Sequence, residues 1–260
     1  MIKHIFCDLD GTLLKNFHGV IDSEDIVALK GAQEKGITIS IATGRLDYEI
    51  KLLMEKYQLK GYRISQNGGI VLNYYDELIY EKDLETRGVK QILQALEGEN
   101  VVIFFQTKDC YFIEKKLPIV LDFEKSQELI TYVENPNIMN ELDLHKIVTI
   151  SLWAEENQNR LIKQKLDKKI PRHIESFVSS KYTLDITNAD NSKGKAIKQI
   201  CLKDNISLDE VAVIGDSHND ISMFEITKHS YAMNEADDEV KRKALNVVNN
   251  VKDAVIQIGG

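Results

Sequence analysis

Ile5-Phe6-Cys7-Asp8-Leu9-Asp10-Gly11-Thr12-Leu13-Leu14 stands close to the start of a 260-residue chain, and its reading decides the fold. An apolar, β-forming run closes on two carboxylates two residues apart, followed by glycine and threonine, the pattern of a strand running into a tight loop. Side chains two apart on extended backbone point the same way, so Asp8 and Asp10 are expected to project from the strand's carboxyl end. Open parallel α/β sheets build their ligand sites there. Two anions so close repel each other, and holding both ionised calls for a cation or a shared proton. A hard divalent ion such as Mg²⁺ suits paired carboxylate oxygens. Taken alone, Asp-Leu-Asp-Gly is equally a polar turn after a buried strand, and the rest of the chain has to decide.

The flanking sequence repeats the strand–loop–helix rhythm. Asp22-Ser23 and Asp25 offer N-capping side chains, Ile26 and Leu29 an apolar face and Gly36 a stop, which predicts a helix near 23–35. A β-branched strand over 37–42 then ends in Thr43-Gly44-Arg45, ahead of a helix carrying Ile50, Leu53, Met54 and Tyr57 at helical spacing. Right-handed parallel crossovers follow from this order, and the turn amides after Thr43 form an anion site at a helix start. A third strand over 63–66 ends at Asn67-Gly68-Gly69, with a hairpin from 70–72 and 78–80. Near the other end, Lys193 opens a helix, and a buried strand at 211–214 runs into Gly215-Asp216-Ser217-His218-Asn219-Asp220. Oxygen ligands again lie at a strand's carboxyl end, before a helix expected over 219–227, and two short strands at 230–233 and 246–249 complete the pattern.

Between these α/β segments the pattern changes. Residues 83–185 read as helix, paired strands, helix, paired strands, an α+β domain with a largely antiparallel sheet. Within it, 117–141 is ambiguous and supports only a short helix near 122–130, while Phe104, Phe105 and Trp153 at strand spacing read as core. The expected architecture is therefore an α/β, Rossmann-like parallel-sheet core from 1–82 and 186–260, with helices on both faces, and an inserted α+β domain.

Composition narrows the function. A net charge of -8 opposes general attraction to nucleic acid or an anionic membrane, so a small anion needs a local cationic site. Three cysteines without CxxC spacing argue against a disulfide framework or zinc site and fit a reducing cytoplasm. No leader pattern or membrane-length apolar run is expected to take the chain elsewhere. Acids for a metal, a lysine and a hydroxyl at separate strand ends make a phosphoryl-transfer kit: cation and lysine neutralise phosphate charge, hydroxyl and amides orient it, and a carboxylate attacks.

These stretches resemble the motifs of the haloacid dehalogenase superfamily, and within it the Cof-type phosphatases. Asp8 to Leu14 resembles the first motif, Ala42-Thr43-Gly44-Arg45 the second, Ser192-Lys193-Gly194 the third and Gly215 to Asp220 the fourth, in order and across nearly the whole chain. The resemblance implies that Asp8 is the nucleophile, forming an aspartyl phosphate, and Asp10 the acid and base. It implies Mg²⁺ held by Asp8, the Asp10 carbonyl and Asp216, with Asp220 supporting the lysine and the metal shell. Phosphoryl oxygens would meet Thr43, the amides of Leu9 and Gly44, Lys193 and Asn219. The inserted domain would be a type IIB cap that reads the substrate. Cys7, opposite Asp8 by alternation, reads as packing. A Mg²⁺-dependent phosphatase of small phosphorylated metabolites is expected, as a monomer or weak homo-oligomer, with no nucleic-acid or membrane partner. A sugar phosphomutase on the same scaffold and a non-catalytic regulator binding a phosphate ligand are the alternatives.

Overall fold

The computed structural model describes residues 1–15, 20–126, 131–180 and 182–259. The chain divides into two compact units, Met1–Tyr80 with Ser192–Gly260, and Glu81–Asn191. The first begins with β1 (His4–Cys7), α1 (Ser23–Glu34), β2 (Thr38–Ala42), α2 (Asp47–Tyr57), β3 (Arg63–Ser65), β4 (Ile70–Leu72) and β5 (Leu78–Glu81). The second holds α3 (Glu85–Ala95), β6 (Val102–Gln106), β7 (Tyr111–Ile113), α4 (Pro118–Ser126), β8 (Tyr132–Glu134), β9 (Thr149–Trp153), α5 (Glu156–Lys169), β10 (Ile174–Ser180) and β11 (Thr183–Asn188). The first resumes with α6 (Lys193–Asp204), β12 (Val211–Gly215), α7 (Ile221–Phe224), β13 (His229–Met233), α8 (Asp238–Lys241), β14 (Asn246–Val248) and α9 (Val251–Ile258).

The sheet of the first unit has the order β14-β13-β12-β1-β2-β3-β4-β5. Its strands pair in parallel from β14 to β3, and β4 turns back antiparallel. Strand alternation assigns the two faces. Ile5 and Cys7 join Leu29 of α1, Leu53 of α2 and Val255 of α9 in one core, while Phe6 and Val213 join Ile197 of α6 and Met223 of α7 in the other. Cys7 is thus fully buried as packing, and burial raises its thiol well above the usual range. Strands β1 and β12 lie side by side with Cys7 opposite Ile214. That pairing sets the Asp8 loop next to the Asp216 loop.

The second unit is a six-stranded sheet of order β10-β11-β9-β6-β7-β8, antiparallel except for the parallel pair β7–β8. Helices α3 and α5 bury Ile92, Ile162 and Leu166 against Phe105, Ile150 and Leu184. Phe104 packs on the opposite side with Ile113 and Val120, its ring 6.5 Å from that of Trp153. The expected end of this segment at 185 falls inside β11, which stays paired with β10 as far as Asn188. The Asn188 and Asn191 amides donate to the carbonyls of Asp83 and Lys82, at 3.2 and 3.0 Å, which joins the two ends of the unit. Helix α4 starts at Pro118, earlier than expected, because proline suits a first helical position; expected positions 127–130 lie outside the described residues. The helix expected over 219–227 is shorter, a 3₁₀ turn at His218–Asp220 leading into α7.

Candidate active site

Asp8 continues the ladder of β1, its amide donating to the Ile214 carbonyl at 2.9 Å, and its side chain is buried. The loop behind it closes on itself, with Gly11 N donating to Leu14 O and Leu14 N to Leu9 O, at 3.0 and 2.7 Å. Leu9 buries its side chain in the core. Gly11 has φ +89°, and a Cβ there would lie 2.3 Å from Asp216 Oδ2, so both conformation and space demand glycine. Thr12 Oγ1 donates to Asp216 Oδ1 at 2.6 Å, and Ser217 Oγ to Asp216 Oδ2 at 2.9 Å. The first and fourth motifs are thereby bonded to each other.

Lys193 opens α6 behind the N-cap Ser192, whose side chain accepts from Lys195 N. A Cβ on the next residue, Gly194, would fall 1.9 Å from Ser222 O, so glycine allows the close approach of α6 to α7. Lys193 Nζ donates to Asp8 Oδ1 at 2.6 Å and to Asp220 Oδ1 at 2.7 Å, with its side chain wholly buried. Burial by itself would lower its proton affinity, yet the Asp220 and Asp8 charges prevail and hold it above the usual lysine range. The other oxygen of Asp220 accepts from the amides of Asp216 and Ser217, each at 2.9 Å.

Asp8, Asp216 and Asp220 each place a carboxylate oxygen within 4.8 Å of the others. Burial, then the Asp220 charge, push Asp8 well above the usual carboxylate range against the opposing pull of Lys193. Asp216 is raised by burial and by Asp220, against the donors Thr12 and Ser217. Crowded, partly uncompensated oxygen anions with no thiolate or imidazole among them fit a hard divalent cation. Both Asp220 oxygens are held by the buried Lys193 ammonium and two backbone amides, which cannot turn away. Asp216 is bonded instead by the rotatable hydroxyls of Thr12 and Ser217 and is less buried. Asp8 and Asp216 are therefore the side chains suited to hold the cation, with Asp220 fixing Lys193 and the loop.

The second motif ends β2. Thr43 is buried and its Oγ1 accepts from Arg45 N at 3.3 Å; a Cβ on Gly44 would lie 3.3 Å from Asn67 Nδ2. Asn67 holds φ +55°, donates its amide to Thr43 O at 2.9 Å, and accepts from Asn219 Nδ2 at 2.9 Å through Oδ1. It therefore joins the second motif to the fourth. Asn219 Oδ1 is buried and meets no hydrogen-bond partner among the described residues.

The structure brings Asp8, Lys193, Asp216 and Asp220 together and ties Thr43, Gly44 and Asn219 through Asn67. It sets the Asp10 carboxylate apart from that cluster: Arg45 Nε and Nη2 grip both of its oxygens, at 2.8 and 2.6 Å. Lys193 thus bonds Asp8 while Arg45 bonds Asp10, so the side-chain cations serve the two carboxylates separately. Arg45, Thr12, Ser217 and Glu49 did not stand out from the sequence. The signal for Arg45 was its place directly after Thr43-Gly44, and for Glu49 its place in the first turn of a helix.

A haloacid dehalogenase-like hydrolase family model matches residues 5–258. The chain is 30% identical to a 5-amino-6-(5-phospho-D-ribitylamino)uracil phosphatase of Bacillus subtilis, over 94% of this chain and 91% of that protein. It is 26% identical to a pyridoxal phosphate phosphatase of Escherichia coli, over 97% and 96%. A solved sugar phosphatase of haloacid dehalogenase subclass IIB matches with TM-score 0.83 and 26% identity, covering 99% of each chain. Among the described residues no helix is long and apolar enough to cross a membrane. The matching family model, the four ordered motifs and these relatives make the chain a member of the haloacid dehalogenase-like hydrolases, a Cof-type phosphatase.

Proposed function

We propose that the chain is a Mg²⁺-dependent phosphatase of small phosphorylated metabolites, sugar phosphates or similar monoesters, that works through a phosphoryl group carried on Asp8. The observation that carries this reading is the buried Lys193 ammonium, 2.6 Å from Asp8 Oδ1 and 2.7 Å from Asp220 Oδ1, which places a fixed positive charge beside the attacking atom. Asp8 attacks phosphorus as the ester P–O bond breaks, and Asp10 gives a proton to the departing alcohol oxygen. Water then attacks the phosphoryl group, Asp10 takes its proton, and Asp8 is released. Lys193, the Thr43 hydroxyl, the amides of Leu9 and Gly44, and an N–H of Asn219 bind the phosphoryl oxygens. Asp8, the Asp10 carbonyl and Asp216 would hold Mg²⁺, which when bound neutralises charge on the transferring group.

The relatives named above act on different esters, which share a phosphate and differ in the alcohol. The phosphate machinery lies wholly in the first unit. We assign recognition of the alcohol to the separately cored unit Glu81–Asn191, as a cap. The test is phosphate release across a panel of sugar, nucleotide and vitamin phosphates, with Mg²⁺ and with EDTA, alongside a search for a hydroxylamine-sensitive phosphoprotein. Release should need Mg²⁺, and Asp8→Asn should abolish both turnover and label. Full turnover in EDTA, or an active Asp8→Asn, would overturn the reading.

A further inference from the structure

Asp10 lies in the loop after β1, and its side chain is 43% exposed, so core packing does not orient it. Arg45 does, through the planar two-bond fork already described, a geometry that lysine's single ammonium cannot reproduce. Arg45 is anchored in turn. Its Nη1 donates to Glu49 Oε2 at 3.3 Å, and the Glu49 side chain is wholly buried. Glu49 Oε1 accepts from the Leu46 amide at 3.2 Å, so the carboxylate is locked to the first turn of α2. A connected series thus runs from a rigid helix through Glu49 and Arg45 to Asp10.

We propose that Arg45, oriented by Glu49, is a positioning residue for the proton transfers of Asp10. The inference rests on the reading of Asp10 as the group that protonates the leaving alcohol. In the first half-reaction the electrons of the breaking P–O bond go to the alcohol oxygen, which takes the Asp10 proton. Asp10 is left as a carboxylate. In the second, a water oxygen bonds to phosphorus, the bond from phosphorus to Asp8 breaks, and the water proton returns to Asp10. The fork fixes the plane and direction of the Asp10 carboxyl, so the oxygen that gives the proton to the alcohol and takes one from water stays aimed through both half-reactions, and Glu49 holds Arg45 in place to do this.

The test compares kcat and KM of the Mg²⁺-loaded enzyme for p-nitrophenyl phosphate, whose leaving group needs little protonation, and glycerol phosphate, whose leaving group needs it. Asp10→Asn should lose at least about 10-fold more kcat on the glycerol ester than on the aryl ester, within the range of general-acid effects. Arg45→Gln should show the same bias with KM changed less than about 3-fold, because a group acting only in the transition state moves kcat. Arg45→Lys should recover little, and Glu49→Gln should lose less with the same bias. Asp10→Asn/Arg45→Gln should be no worse than Asp10→Asn alone, as residues acting through one another are non-additive. A KM rise shared by both esters would make Arg45 a phosphate ligand and overturn the proposal. So would a loss equal for both esters, or a double variant whose losses multiply. If Asp10→Asn itself shows no bias between the esters, the role of Asp10 fails and the proposal falls with it, a result distinct from a biased Asp10→Asn beside an unbiased Arg45→Gln.

Discussion

Replacing Lys193 by methionine keeps the bulk of the side chain and deletes the charge between Asp8 and Asp220. Each of the two contacts, 2.6 and 2.7 Å long, is worth about 6 kcal/mol of attraction at an effective dielectric near 20. Against that stands the desolvation of a wholly buried ammonium, several kcal/mol on general grounds. Removing one partner of such a buried pair leaves a net loss of about 3–5 kcal/mol. The loss must depend on pH. Asp8 is already raised by burial and by Asp220, and Lys193 is what opposes them. Without it the folded protein binds more protons than the unfolded chain above the ordinary carboxylate range, so stability falls as pH rises.

Lys193→Met in EDTA should therefore lack about 3–5 kcal/mol at pH 8 and distinctly less at pH 5, where a proton replaces the missing ammonium. Adding Asp220→Asn should restore part of the loss, since the amide oxygen can still accept from Asp216 N and Ser217 N. The chain's single tryptophan, Trp153, lies in the other unit and would report the wrong unfolding. The assay is amide hydrogen exchange in β1 and β12, which reads local opening free energies directly. A deficit below about 1 kcal/mol at pH 8, or one that does not change with pH, would refute the electrostatic argument.

Two further outcomes follow from the same charges and from the division of the chain. In the metal-free wild type, the raised Asp8 and Asp216 contribute stability at low pH that is lost as pH rises through their folded values, so added Mg²⁺ should raise the melting temperature more at pH 7 than at pH 4.5. A Mg²⁺-induced shift that does not grow with pH, measured by calorimetry, would count against these carboxylates as the site. Replacing residues 82–190 by a short linker should leave a folded α/β unit that hydrolyses p-nitrophenyl phosphate slowly but ranks natural esters indifferently. An unchanged ranking of kcat/KM values in the shortened protein would place selectivity in the first unit.

Sequence pattern was sufficient for the strands and helices that carry the motifs, because β1, β2 and β12 are short, almost continuously buried runs that end in residues unsuited to a strand. It failed where the signal was short or conditional. Tyr132-Val133-Glu134 is too brief to read as a strand, and exists as β8 because β7 is there to pair with it. The last strand of the inserted segment outran its expected end because Thr187 and Asn188, polar and turn-like in sequence, still find partners on β10 and β9. Within the site, residue types announced the acids and Lys193, but not which acid each cation serves. Asp10 and Arg45 are 35 positions apart, and only the packing of β2 beside β1 brings them together. Asn67 read as a turn former, and its φ of +55° agrees; that its side chain also reaches Asn219 depends on a contact 152 positions away.

The charges also explain why this chemistry calls for a cation beyond those of the protein. Arg45 serves Asp10 and Glu49, whereas Asp8, Asp216 and Asp220 share the one charge of Lys193 and, when all are ionised, keep two negative charges in excess. An incoming phosphate dianion adds to that excess, in a protein whose net charge of -8 already repels anions. Lys193 keeps one N–H for a phosphoryl oxygen beyond its bonds to Asp8 and Asp220, but its one positive charge cannot offset three carboxylates and a dianion together. One divalent ion cancels the excess and a monovalent ion leaves half of it. With all three carboxylates ionised, a divalent ion makes the cluster neutral before an ester arrives, so the dianion meets no excess of negative charge there, and a buried, ionised Asp8 is tolerated only when the cation accompanies it.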